Sequence, residues 1–314
     1  MGDWLSRLLE LVPVRGVLDD RCFYGAPWRV DLPRSEPGAI QYHVILGGGA
    51  VLEGAAGERA QPLVAGDIVL LLDGAAHALH DGSHTAPAPE RTRRALNVLV
   101  HENDGPGSRL DMMCGRFLLP AGHDQLIRAY LPRRLIVRAA ENSAAAAAPG
   151  TRATVVELIG LMRAESAAEH LGSLAMLNAL STALFALALR LAGETEPSPE
   201  GLLALAGNPR LAPALTVLFN EPARPWTLPE LARRCNMSRA TFIRHFQDRL
   251  GRSAADLLTD IRMTVAAGAL ATSELSIAAI AARAGYQSEA AFQRAFKQKT
   301  GIPPGQWRRD KRVG

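Results

Sequence analysis

The chain has 314 residues, 48% hydrophobic and 21% charged, enough for two or three domains that each bury a core. Three scattered cysteines exclude a secreted disulfide scaffold, and Asp3 and Glu10 with no cleavage pattern argue against a signal peptide, so a cytoplasmic protein is expected. From Arg224 onward 16 Lys and Arg face 7 Asp and Glu, whereas the first 223 residues hold 19 against 24, as suits a nucleic-acid reader joined to a mildly acidic body.

Trp4–Leu11 reads as a short helix. Short apolar runs follow at Ile40–Leu46, Ala50–Glu53, Ile68–Leu72, Ala95–His101 and Gly115–Leu119, punctuated by Gly, Pro and Asp, which predicts a β-sandwich or small barrel over 1–138. The Pro-containing, charged stretch Gly82–Arg94 is expected to be a surface loop, and 139–150, which includes an alanine-rich run, a linker. Two helices are predicted at Thr151–Ala168 and Ser173–Gly193, within a helical dimerisation segment over 151–223. Leu174, Leu177, Leu180, Leu184, Leu187 and Leu191 recur at steps of three or four, a stripe that asks for another helix in the chain or across a dimer axis. The same stretch is apolar enough to raise the question of a membrane span. Its Asn178, Ser181, Thr182 and Arg190 favour a buried or dimer-facing helix, and no membrane partner is expected.

Residues 224–314 contain one pattern twice. Leu228, Leu231, Ala232 and Met237 match Ile277, Ile280, Ala281 and Tyr286; Ser238, Phe242, Phe246 and Gly251 match Ser288, Phe292, Phe296 and Gly301. Each copy reads as a short helix, a tight turn and a longer helix whose N-cap is serine. Thr227 with Glu230 makes a capping box for the first. Two helix-turn-helix units on a basic background mean DNA binding. Arg239, Ala240, Ile243, Arg244 and Gln247 fall on the outer face of the first long helix; Glu289, Ala290, Gln293, Arg294 and Lys297 fall on that of the second. Arginine pairs with guanine edges and glutamine with adenine edges, while nearby cations neutralise phosphates.

This region resembles the AraC/XylS family of transcription regulators through Ala281-x-x-Ala284-Gly285-Tyr286-x-Ser288, Phe292-x-Arg294-x-Phe296-Lys297 and Gly301-x-Pro303-Pro304 with Arg308. The resemblance implies two reading helices in successive major grooves, with Ala240, Ile243 and Arg244 at base-facing places of the first and Glu289, Ala290, Gln293 and Arg294 at those of the second. Ahead of it, Gly66-Asp67-x4-Leu72-Asp73-Gly74-x2-His77 resembles a cupin motif, and Gln41-Tyr42-His43 fills half of the other. The glutamate of that motif is replaced by Gly47 or Gly48. An incomplete ligand set argues against a catalytic metal centre and against a cupin enzyme fused to a DNA reader. Gln41, His43, His77 and His80 remain candidates for an effector pocket, with His43 and His77 as possible metal ligands and a purely structural role for the histidines also open. The N-terminal half also resembles the cupin domain of one AraC-type branch, through Trp4-Leu5-Ser6-x-Leu8-Leu9, Arg15-Gly16, Arg21-Cys22, Ala26-Pro27-Trp28, Cys114-Gly115-x-Phe117 and Leu131-Pro132. That branch includes a reactive-chlorine-responsive regulator whose cysteines match Cys22 and Cys114. Packing, thiol sensing and metal ligation all stay open for these two, and Arg21 and Arg116 nearby are expected to favour thiolates. Cys235 is expected in the core.

The expectation is therefore an α+β chain: a cupin-like sensor, a helical dimerisation segment and an all-α tandem helix-turn-helix domain. It should act as an effector- or oxidant-responsive activator, with double-stranded DNA, RNA polymerase, a second copy and a small-molecule effector as partners. A metal-binding cupin regulator is the alternative.

Overall fold

The computed structural model describes residues 2–54, 58–120, 124–139, 149–168, 170–195 and 199–312, and most of the expected linker lies outside them. Helix α1 (Trp4–Leu11) precedes strands β1 (Arg15–Gly25), β2 (Arg29–Leu32), β3 (Ala39–Gly47), β4 (Gly49–Glu53), β5 (Gln61–Val64), β6 (Asp67–Leu71), β7 (His77–His80), β8 (Glu90–Arg94), β9 (Leu99–Asn103) and β10 (Arg109–Leu118). After α2 (Asp124–Tyr130) and β11 (Arg134–Arg138) the chain is helical: α3 (Pro149–Ala167), α4 (Ser173–Glu194), α5 (Leu202–Ala206) and α6 (Ala212–Asn220). The tandem region holds α7 (Leu228–Arg234), α8 (Arg239–Leu250), α9 (Ala254–Thr272), α10 (Ile277–Arg283), α11 (Glu289–Thr300) and α12 (Pro304–Arg312).

Two compact units result. One is Val14–Leu119 with Pro132–Ser198; the other gathers Met1–Pro13, Pro120–Leu131 and Pro199–Gly314. These cut across the boundaries expected from sequence, because α1 and α2 join the C-terminal helices while α3 and α4 join the strands.

The strand-rich unit has a seven-stranded sheet, ordered β11-β6-β3-β10-β1-β9-β8, and a four-stranded sheet, ordered β2-β7-β4-β5. Their shared core holds Cys22, Tyr24, Ile45, Leu52, Val69, Leu79, Met112 and Cys114. Because successive strand side chains alternate, the residues between these point to the opposite face of the large sheet, where α4 packs on β1 and β10. There Tyr42 Oη lies 2.8 Å from Ser181 Oγ and the tilted rings of Phe117 and Phe185 meet at 4.8 Å. Gly16 permits the approach, since a Cβ there would stand 2.4 Å from the Ser181 backbone. Two expectations change. Glu90–Arg94, placed in a loop, is a strand paired with β9, which itself begins at Leu99. The leucine stripe of α4 also points inward in part: Leu177, Leu184 and Leu191 are fully buried, while Leu174 is 47% exposed. By length and composition α4 could cross a membrane; nine of its residues, two of them serine, are buried within the unit.

In the helical unit each serine expected as a cap is one: Ser238 Oγ accepts from Thr241 N and Ser288 Oγ from Ala291 N. Thr227 and Glu230 form the expected capping box. Phe242 and Phe246 meet at 5.3 Å inside the first copy, Phe292 and Phe296 at 5.6 Å inside the second, and Trp307 of α12 closes on Phe296 at 5.6 Å. The turn uses a left-handed residue in both copies, Asn236 at φ 51° and Gly285 at φ 82°. Cys235 is buried, as expected.

Candidate functional site

The packing that buries the phenylalanines of α8 and α11 leaves their opposite faces to solvent. Arg239, Ala240, Arg244 and Gln247 are exposed on α8 and Ile243 is half-buried; Glu289, Ala290, Gln293, Arg294 and Lys297 are all exposed on α11. Arg244 and Arg294 occupy equivalent places on the two helices. Gln293 Nε2 donates to Glu289 Oε1 at 2.8 Å, so the second face presents a pre-set polar pair beside Arg294. Arg262 donates from Nε to Pro222 O at 2.6 Å and from Nη2 to Arg224 O at 2.9 Å. It fastens the linking helix α9 to the segment before α7. Only its helical register could have hinted at this, because its acceptors are backbone carbonyls.

Inside the strand-rich unit, His43 and His77 come together with Cys114. Strand β3 aims His43 into the core beside β10, and β7 brings His77 from the other sheet. His43 Nδ1 is 3.0 Å from Cys114 Sγ, His43 Nε2 is 2.8 Å from His77 Nε2, and His77 Nδ1 is 3.1 Å from Ala75 O. Burial, then the His77 ring, hold His43 well below the ordinary imidazole range, and burial lowers His77, so both rings are neutral. The direction of every bond then follows. The Ala75 carbonyl only accepts, so His77 Nδ1 carries its proton and Nε2 accepts from His43 Nε2–H. His43 Nδ1 is left to accept from the Cys114 thiol. The chain therefore runs from Cys114 through His43 and His77 to Ala75.

Cys22 pairs across β1 and β10 with Met112, and Cys114 with Asp20, so the two cysteines are diagonal neighbours on the core face. The Cys22 side chain beside it, and then burial, push the Cys114 thiol well above its usual range. The expected thiolate stabilisation by arginine is not found. Arg116 points outward to Asp19 at 2.8 Å, and Arg21 turns away from the core to bind Asp111 at 2.7 Å and Ser166. Both arginines are committed to carboxylates.

His80 does not join the other histidines. It lies on the opposite face of β7 from His77 and Leu79, accepts from Gly82 N at 3.0 Å, and sits 3.8 Å from Glu53. Gln41 shares the strand face of His43, and its Oε1 is buried with no hydrogen-bond partner. The facing nitrogens of His43 and His77 bond to one another, and among the described residues no group of three or more His, Cys, Asp or Glu side chains is placed to hold a metal ion. The donor set does not fit a metal centre. His77 also lines an open depression of about 420 Å³ with Arg29, Asp31 and Arg133.

Comparison with known proteins agrees with both halves. A family model described as Cupin matches residues 3–192, and one described as Helix-turn-helix domain matches 231–310. The chain is 29% identical over 308 residues to an uncharacterized HTH-type transcriptional regulator of Haemophilus influenzae, covering 98% of each. It is 28% identical over 306 residues to RclR, the RCS-specific HTH-type transcriptional activator of Escherichia coli K12, covering 98% of this chain and 97% of the relative. It is 27% identical over 312 residues to the HTH-type transcriptional regulator MtrA of Neisseria gonorrhoeae, again over 98% of each. Among solved structures, the C-terminal domain of AraT, a response regulator from Geobacillus stearothermophilus, is 36% identical with a TM-score of 0.32, covering 33% of this chain and 86% of that one. The protein is accordingly a DNA-binding transcriptional regulator and not an enzyme, a member of the AraC family in which a cupin domain precedes the tandem helix-turn-helix domain.

Proposed function

We propose that this regulator is a dimeric activator working in the cytoplasm, which reads an operator with α8 and α11 and takes its signal inside the cupin barrel. The observation that carries the DNA reading is the pair of exposed arginines, Arg244 and Arg294, at equivalent places on two serine-capped helices whose opposite faces are locked into the core. Replacing either arginine by alanine should cost roughly 1–3 kcal/mol of specific binding, concentrated at particular base pairs. The test is the affinity of the full chain for a duplex selected from random DNA by the wild-type protein; unchanged affinity in both variants rules out these helices as readers. Once on DNA, the activator contacts RNA polymerase.

For the signal, Cys22 and Cys114 lie side by side on the core face, and this adjacency supports joining of the two thiols even though the Cys22 side chain and burial hold Cys114 protonated at rest. The activator relative RclR is named as RCS-specific. Diamide, which takes up two electrons and two protons as two thiols join, should change operator binding reversibly. Cys22→Ser should abolish the change and Cys235→Ser should not. The depression at His77 supports a second reading, a small effector that meets that ring. A diamide response that survives in the Cys22→Ser, Cys114→Ser double variant would leave this second reading in possession.

Dimerisation belongs to the outer surface of α3 and α4, where Val156, Leu161, Leu174 and Met176 are each between 46 and 53% exposed. The inward leucines of α4 are occupied within the chain.

A further inference from the structure

The chain leaves its strands between β10 and β11 to form α2, and α2 belongs to the compact unit of the reading helices. Seven residues are too few to be helical alone in water, so the position of α2 is set by what it docks on. Leu126, Ile127 and Tyr130 form its buried face. Tyr130 is 1% exposed, and its hydroxyl donates to Asp260 Oδ2 at 2.6 Å. Asp260 stands on α9, the helix that joins the two helix-turn-helix units.

The same carboxylate receives Lys299 Nζ, from the last turn of α11, at 2.5 Å. Arg252, at the corner between α8 and α9, lies 3.7 Å from Asp260 and 5.3 Å from the centroid of the Tyr130 ring. One carboxylate thus serves α2, the end of the second reading helix, and the corner that follows the first. Withdrawing the Tyr130 hydroxyl would leave a largely buried carboxylate short of a donor, an unfavourable state that resists intermediate positions of α2. Beside this cluster is a cavity of about 380 Å³, lined by Gln125, Arg128 and Ala129 of α2 and by Met263 and Thr300 across from them. One flank of α2 is therefore not close-packed, which leaves room for a second position.

We propose that α2 is the lever through which the strand segment that carries it acts on the reading helices, with the Tyr130–Asp260 bond as its catch. Coupling of this kind is reciprocal: whatever the strands do to DNA binding through α2, DNA binding does in return to α2 and to the strand that follows it. That reciprocity allows a test with no effector in hand. Amide hydrogen exchange of the full chain is measured with and without a duplex selected from random DNA by the wild-type protein.

In the wild type, the duplex should slow exchange in α2 and β11 by about fivefold or more, the lower end of ordinary coupling between sites. In Tyr130→Phe and Asp260→Asn, α8 and α11 should still respond to the duplex, while the slowing in α2 and β11 should fall below about twofold. Unaltered exchange at α2 and β11 in the wild type overturns the proposal, and so does undiminished slowing in both variants. If Asp260→Asn lowers the melting temperature, Tyr130→Phe alone decides, because it keeps the ring packed and removes a single atom.

Discussion

The two helix-turn-helix turns share a backbone conformation but not a tolerance for side chains, and Gly285→Ala tests the difference. A left-handed backbone costs an ordinary L residue about 1–2 kcal/mol. At Gly285, φ 82°, a Cβ would also stand 2.4 Å from the Ala223 carbonyl oxygen and 2.8 Å from its Cα. These are backbone atoms that no side-chain rotation can clear, so overpacking adds about 1–3 kcal/mol. The whole loss should be about 2–5 kcal/mol. Asn236→Ala changes only the left-handed preference, since its Cβ already has room, and should cost about 1 kcal/mol. Urea unfolding of the two variants gives the comparison. Duplex affinity gives the functional consequence, since Gly285 lies three residues before the N-cap of α11 and the displaced turn moves the second reading helix. Equal losses at the two turns would refute the steric account.

His101 supplies a pH test. Burial opposes its protonation, but Glu90 at 2.8 Å and Asp20 at 3.3 Å outweigh it and raise its pKa. The stability this adds is fully present below the unfolded value of 6.5 and is lost as pH rises through the raised one, so His101→Gln should cost more at about pH 5.5 than at about pH 9; an equal cost contradicts it. Asp111→Asn should cost about 3 kcal/mol in thermal or urea unfolding, since Arg21 is 4% exposed and would keep a buried charge without its partner. Asp19→Asn, facing Arg116 with a side chain 47% exposed, should cost under about 1 kcal/mol, and a reversed order would refute the ranking by burial. Leu161→Arg with Leu174→Arg should yield monomers in sedimentation with an unchanged melting temperature; an unchanged dimer moves the interface elsewhere.

The tandem units were readable because their determinants are local. Serine caps, the Thr227–Glu230 box, the phenylalanine spacing and the closing glycines all act within one helix, and α8 begins and ends where the pattern predicts. The strands were less legible. β1, an interior strand of the large sheet, mixes Arg15, Asp19, Asp20 and Arg21 with apolar residues, because its outer face is covered by helices that bring their own hydrogen-bond partners. A buried arginine bonded to Asp111 and Ser166 looks, in sequence, like a surface charge. His43 and His77 could be nominated from their spacing, but the thiol at the end of their chain depends on β3–β10 register, which no local pattern encodes. The same limit misdirected His80: four consecutive buried residues in β7 gave no alternation by which to choose its face.

The unit that holds the reading helices is assembled from three separate stretches of chain. Trp4 meets Phe219 at 6.2 Å, Leu8 is fully buried, and Asn220 Nδ2 donates to the Gly2 carbonyl at 2.8 Å. As the polypeptide leaves the ribosome, α1 must wait for some two hundred residues before the surface that buries it exists, and α2 for about two thirds as long. In that interval their apolar faces have no native partner, and the regulator depends on solubility or chaperone protection until its last third arrives. Expressing α5 to α12 alone would remove both wrappings, so such a fragment exposes apolar surface on α6 and α9 that the whole protein never shows to water.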